Sequence, residues 1–115
     1  MGRQKVVLCA SSKYEEKYYL NPVFDKLPDA IKEELQVMCV LFTEDIGGIL
    51  TLEFNEDNEL IFKTMADEND LLYDEIGCAL KIKQYQTTKR ELLESISLFY
   101  RIFVLGEDVE EMMEV

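Results

Sequence analysis

The sequence has no histidine and no tryptophan among its 115 residues, and it has only two prolines and three cysteines. Without histidine, the chain cannot form a Ser-His-Asp triad, a Cys-His pair, an HExxH motif or a His-ligated zinc site from its own residues. The cysteines, at positions 9, 39 and 78, are isolated and form no CxxC pair, which favours reduced thiols used as small apolar residues. The sequence therefore predicts a protein that is not an enzyme and needs no cofactor.

Long apolar runs are also missing. The longest, Val37–Phe42, is far shorter than the ~20 residues that a membrane-spanning helix needs. Residues 1–5 include charged side chains, but no apolar stretch of signal-peptide length follows them. We therefore expect a cytoplasmic protein that does not contact membranes.

Positively charged residues are scarce. The chain has 12 Lys and Arg against 24 Asp and Glu, and its formal net charge is −12, all of which falls within residues 25–75. Nucleic-acid backbones and anionic lipids attract basic proteins, so both are disfavoured as partners. Solubility is the simplest interpretation of the charge. A basic protein partner, a cation or a role as an acidic mimic of nucleic acid remain alternatives.

The length fits one α+β domain over residues 1–106, followed by an acidic C-terminal tail at 107–115 that we expect to be frayed. Alternating or β-branched residues predict strands at Lys5–Ala10, Ile49–Phe54 and Leu60–Met65. Aromatic residues favour another strand at 16–20, although Tyr14 and Tyr18 at i and i+4 leave a helix open there.

Three helices are predicted. The first covers about 28–45 and ends at Gly47-Gly48, where a positive φ suits a helix C-cap. The second begins near Asp70, and its apolar residues fall on one side with Lys83: Leu72, Ile76, Ala79 and Leu80. A break at Gln84–Thr88 precedes the last helix, for which Thr88 and Glu91 form a capping box and which Gly106 ends. The order β-β-α-β-β-α-α predicts a two-layer fold, with an antiparallel sheet of about four strands and helices on one face.

Carboxylates between the last strand and the second helix form the richest candidate site: Asp67, Glu68, Asp70, Asp74 and Glu75. If the helix begins near Asp70, Asp70 and Asp74 lie one turn apart and can hold a hard cation such as Mg²⁺ or Ca²⁺. The simpler interpretation is that these acids cap the helix and offset its dipole. Binding of a cation or small ligand by this segment is our alternative hypothesis for the function of the protein.

Our first hypothesis is a non-catalytic domain that acts by binding another protein or a second copy of itself. The only basic stretch lies at positions 81–90 and consists of Lys81, Lys83, Lys89 and Arg90. The chain therefore has one acidic and one basic region, which allows two copies to associate through regions of opposite charge. Glu44-Asp45 beside Gly47-Gly48 is a weaker candidate contact. Gly77 inside a predicted helix indicates close packing on a neighbour.

Three stretches resemble a small family of uncharacterised Firmicutes proteins, a domain of unknown function. They are Tyr14–Asn21 running on to Leu27-Pro28, Leu41–Leu50 and Leu72–Gly77. The similarity spans about residues 7–106. It implies a bacterial cytoplasmic protein, and it implies no activity, cofactor or site residue.

Overall fold

The computed structural model describes residues 5–107, which form four strands, three α-helices and two short helical turns. The elements are β1 (Val6–Ser12), β2 (Lys17–Leu20), a 3₁₀ turn (Pro22–Phe24), α1 (Asp29–Ile46), β3 (Ile49–Phe54), β4 (Leu60–Met65), α2 (Glu75–Thr88), α3 (Arg90–Phe99) and a π-helical turn (Tyr100–Val104). The predicted α+β architecture and element order are confirmed. The segment at 16–20 is a strand, so the helical alternative there is wrong.

The four strands form one antiparallel sheet in the order β2-β1-β3-β4. Cys9 of β1 lies opposite Leu20 on one side and Leu52 on the other, and Leu52 lies opposite Phe62 of β4. Because strand residues alternate between faces, this row points to the same side of the sheet. From the strand order, β2 and β4 are the two edges of the sheet that residues 5–107 form.

The core lies between α1 and the two central strands. The Sγ atoms of Cys9 and Cys39 are 3.7 Å apart, and the hydroxyls of Ser11 and Thr43 are 2.8 Å apart. The thiol of Cys9 and burial both raise the pKa of the Cys39 thiol, so it stays protonated and acts as a small apolar group. The largest fully buried side chains are Phe24, Phe42, Phe54, Leu8, Leu35, Leu50, Leu52 and Ile96.

The predicted boundaries of the second helix are wrong. α2 begins at Glu75, five residues after the predicted start, and continues through Gln84–Thr88. It continues because Tyr85 packs on α1, with its ring centroid 6.2 Å from that of Phe42. Such tertiary packing outweighs the modest helix propensity of a Gln- and Thr-rich segment.

The predicted capping box is also wrong. Thr88 donates a hydrogen bond to the carbonyl of Gln84 at 3.0 Å, inside α2, and Lys89 takes the N-cap position of α3 without a side-chain cap bond. The end of the helical region is as predicted, since Gly106 has a φ of +72°. Of the predicted acidic tail at 107–115, only Glu107 lies within the described residues, where it pairs with Arg101 at 2.8 Å.

Candidate protein-interaction surface

The outer side of α2 carries exposed apolar residues. Ile76, Ala79 and Leu80 of the predicted stripe share one side of α2, and this side faces solvent because the opposite side packs inward through Cys78 and Tyr85. Leu72, predicted in the same stripe, lies in the loop before α2 and is also exposed. We call five exposed apolar side chains of α2, the loop before it and the end of β4 the apolar surface: Met65, Leu71, Leu72, Ile76 and Leu80. These side chains are between 65% and 96% exposed. Sequence reasoning missed Met65 and Leu71, which belong to no helical stripe.

Tyr14 anchors the loop that presents Leu71 and Leu72. Its hydroxyl donates a 2.6 Å hydrogen bond to Oδ2 of Asp70 and accepts one of 2.9 Å from the backbone N–H of Asp67. The other carboxylate oxygen of Asp70 accepts from the N–H of Leu72 at 3.0 Å. The loop is thereby tied to the β1–β2 turn, far away in the sequence.

The two glycines after α1 support the same loop from its other side. Gly47 and Gly48 have φ values of +90° and +70°, which confirms the predicted end of α1. Tyr73 packs so closely on Gly48 that a Cβ atom there would lie 2.8 Å from its Cε1. The N–H of Asp74 then donates to the carbonyl of Ile46 at 3.1 Å. The start of α2 is therefore fixed against the end of α1.

The five predicted site carboxylates do not act as one group. Asp70 is engaged by Tyr14, and Asp74 is the N-cap of α2, where its Oδ1 accepts from the N–H of Gly77 at 2.8 Å. The expected spacing of Asp70 and Asp74 along one helix is wrong, because the helix begins after both. Asp67, Glu68 and Glu75 are exposed. Across residues 5–107, no three Cys, Asp or Glu side chains are grouped so as to hold a metal ion.

Gly77 has a specific role in this cap. A Cβ atom at this position would collide with the carboxylate of Asp74, so the predicted close packing is against the capping side chain itself. Asp74 therefore caps α2, which agrees with the simpler interpretation of the acidic segment, that its acids cap the helix. The cation hypothesis gains no support from this geometry.

The predicted basic stretch is partly neutralised within the molecule. Lys81 lies 3.2 Å from Asp45 and Lys89 lies 3.3 Å from Glu34, so α1 supplies counter-charges to α2. Glu44, the other acid at the end of α1, lies 3.5 Å from Lys13. These ion pairs use much of the charge on which acidic-to-basic self-association was predicted to depend.

The fold and surface define a class: a small α+β domain with α1 over a four-stranded antiparallel sheet and an exposed apolar surface at α2. The chain matches the model of a family of unknown function, DUF6145, over residues 5–108, and it belongs to that family. No curated protein and no solved structure matches it. None of the described helices has the length and apolar character needed to cross a membrane.

The role of Tyr14 gives a pH-dependent prediction. The hydrogen bond to Asp70 raises the pKa of Tyr14 above its usual value of 10. Because the folded state favours the protonated phenol, the hydrogen bond contributes its full stabilisation of the fold below pH 10. This stabilisation is lost as the pH rises through the raised pKa. We expect Tyr14→Phe to lower the melting temperature slightly at pH 8, and the difference from wild type to shrink above pH 10. An equal difference at both pH values would contradict this role.

Proposed function

We propose that this protein is a non-catalytic cytoplasmic interaction domain, and that its apolar surface docks a partner protein segment carrying apolar and basic side chains. The observation that carries the proposal is the exposure of five large apolar side chains within residues 65–80. Single exposed apolar residues are common, but a cluster rimmed by polar groups is typical of a protein-binding site. Burying one such side chain contributes about 1.5–3 kcal/mol.

The charge around the surface favours a basic partner. Five acids lie within residues 67–75, whereas no Lys or Arg occurs between Lys63 and Lys81. Basic side chains flanking an apolar segment would meet these carboxylates at the rim, where charge mainly speeds association and fixes orientation. Binding should therefore weaken as salt concentration rises.

The non-catalytic and cytoplasmic parts of the proposal rest on the chemistry of the side chains. The chain has no histidine, and two of its clustered carboxylates have structural tasks in the loop and the helix cap. Its three cysteines are buried and free, which suits a reducing compartment.

The experiment uses a fluorescein-labelled 18-residue amphipathic peptide of Leu and Lys as the probe, with binding followed by anisotropy. We expect the double variant Leu72→Gln, Leu80→Gln to weaken binding by about tenfold or more, because the lost apolar burial exceeds the ~1.4 kcal/mol that a tenfold change needs. Both side chains are exposed, so the melting temperature should stay close to that of wild type.

The matched control is Leu98→Gln, which changes an exposed leucine on α3 instead. It should bind the peptide like wild type. Equal affinity of wild type and the double variant, loss of affinity in the control, or no binding to wild type would each overturn the proposal. A matched Leu and Glu peptide should bind far more weakly, and tighter binding of that peptide would refute the basic partner.

A further inference from the structure

The outer edge of β4 presents a row of main-chain groups that pair with no other strand among residues 5–107. The N–H of Asn55 donates to the carbonyl of Glu59 at 2.9 Å, which sets the register of hydrogen-bonded pairs in the β3–β4 hairpin. Hydrogen-bonded and non-bonded pairs alternate along antiparallel strands. The N–H and C=O groups of Leu60, Phe62 and Thr64 therefore point away from β3, and β4 is the last strand of the described sheet.

A groove accompanies this edge, between β4 and the two C-terminal helices. One part, of about 510 Å³, is lined by Thr64, Met65, Ala66, Tyr73, Glu75, Cys78, Ala79 and Ile82. The other, of about 260 Å³, is lined by Leu60, Phe62, Gln86, Arg90, Leu93, Glu94 and Ser97. We call these two parts together the β4 groove. Each has the strand on one side and helical side chains on the other.

Apolar side chains in the groove are only half covered. Phe62 of β4, Ile82 of α2 and Leu93 of α3 pack against the core but are not fully buried. The helices thus carry apolar residues next to an edge at which the sheet stops. A further strand beside β4 would cover them with every second side chain and would pair the free main-chain groups.

We propose that the β4 groove binds an extended segment of a partner protein as a fifth, antiparallel strand. This goes beyond the proposed function, because it uses main-chain pairing at the edge of β4. Met65 and Glu75 border both surfaces, but Leu72 and Leu80 do not line the groove, so variants at these two leucines test the two proposals separately. The other edge is less suited to this role, since β2 has only four residues and follows a turn in which Glu16 has a positive φ of 53°.

Charge and direction favour one kind of segment. Every strand pair of the sheet is antiparallel, so an added strand would begin near Met65 and end near Leu60. Glu75 lines the groove at the Met65 end, with the acids of residues 67–70 nearby in the sequence. A segment that starts with Lys or Arg and continues with alternating β-branched residues fits both features.

The test uses the peptide Lys-Val-Thr-Ile-Thr-Val-Thr and two N-methylated forms of it. When the peptide pairs with β4 as a fifth strand, the peptide residues whose side chains face the groove also point their N–H groups at β4. Methylation of the Val and Ile amides should therefore weaken binding at least tenfold. Methylation of the alternate Thr amides, which face solvent, should change affinity by less than about threefold. The chemical control lies in the peptide, so the result does not depend on a variant that folds.

Hydrogen exchange followed by NMR locates the peptide. We expect the amides of Leu60, Phe62 and Thr64 to exchange at least tenfold more slowly when it is bound, and Glu75→Gln to weaken binding by about twofold to fivefold. Equal effects of the two methylation patterns, protection elsewhere, or no binding by the unmodified peptide would overturn the proposal. The Leu72→Gln, Leu80→Gln variant should bind this peptide normally, which separates a failure here from a failure of docking at α2.

Discussion

Replacing Gly48 with alanine is expected to lower the free energy of unfolding by about 3 kcal/mol. Two costs add up. A left-handed backbone conformation costs a residue with a Cβ atom about 1–2 kcal/mol, and Gly48 has a φ of +70°. The new Cβ would also lie 2.6 Å from the carbonyl oxygen of Met65 and 2.8 Å from Cε1 of Tyr73, and overpacking of this kind costs about 1–3 kcal/mol.

Urea denaturation measures this change, and Gly106→Ala is the control. Gly106 has almost the same φ, +72°, but nothing lies within 4 Å of a Cβ at that position. The control should therefore lose only about 1 kcal/mol, which is the backbone cost alone. Similar losses in the two variants would show that contact with Tyr73 and β4 contributes nothing.

Gly48→Ala is also expected to affect the apolar surface. Tyr73 lies between Gly48 and the start of α2, so a shift of its ring displaces the loop that carries Leu71 and Leu72. We expect Gly48→Ala to bind the Leu and Lys peptide more weakly than Gly106→Ala does, at a temperature where both are folded.

Elements with strong local signals could be predicted from the sequence. β3 and β4 have the predicted boundaries, because both strands alternate and a polar turn lies between them. α1 agrees within one residue at each end, since its apolar period is regular and two glycines follow it. Such features depend on neighbours within a few residues, which the sequence displays directly.

The candidate surface could be predicted only in part. The shared side of Ile76 and Leu80 follows from helical spacing, but its exposure depends on α1 packing against the opposite side of α2, and Leu72 lies before the helix. The start of α2 was missed because the carboxylate of Asp70 is held by Tyr14, 56 residues earlier in the chain. Contacts at such separation leave no periodic signal, so the loop and the β4 groove emerge only once the fold is known.

The largest loss of stability is expected for Phe54→Ala, about 4 kcal/mol, the middle of the range for deleting a buried Phe ring. Phe54 is fully buried at the end of β3, and its ring stacks on that of Tyr100, with centroids 3.8 Å apart and planes at 6°. Phe24 stacks on both rings, at centroid distances of 6.0 and 6.2 Å. Removing the Phe54 ring therefore leaves a cavity bordered by β3, the 3₁₀ turn and the π-helical turn, three segments that no regular hydrogen-bond ladder joins.

Thermal unfolding should show this as a fall of roughly 15 °C or more in melting temperature, given about 4 °C per kcal/mol for a domain of this size. The control, Phe103→Ala, removes a mostly exposed ring that stacks on Phe99 at 4.7 Å, and it should cost less than about 1 kcal/mol. If Phe54→Ala lowered the free energy of unfolding no more than this control, the stacked rings of Phe24, Phe54 and Tyr100 would not be what holds the π-helical turn against the sheet.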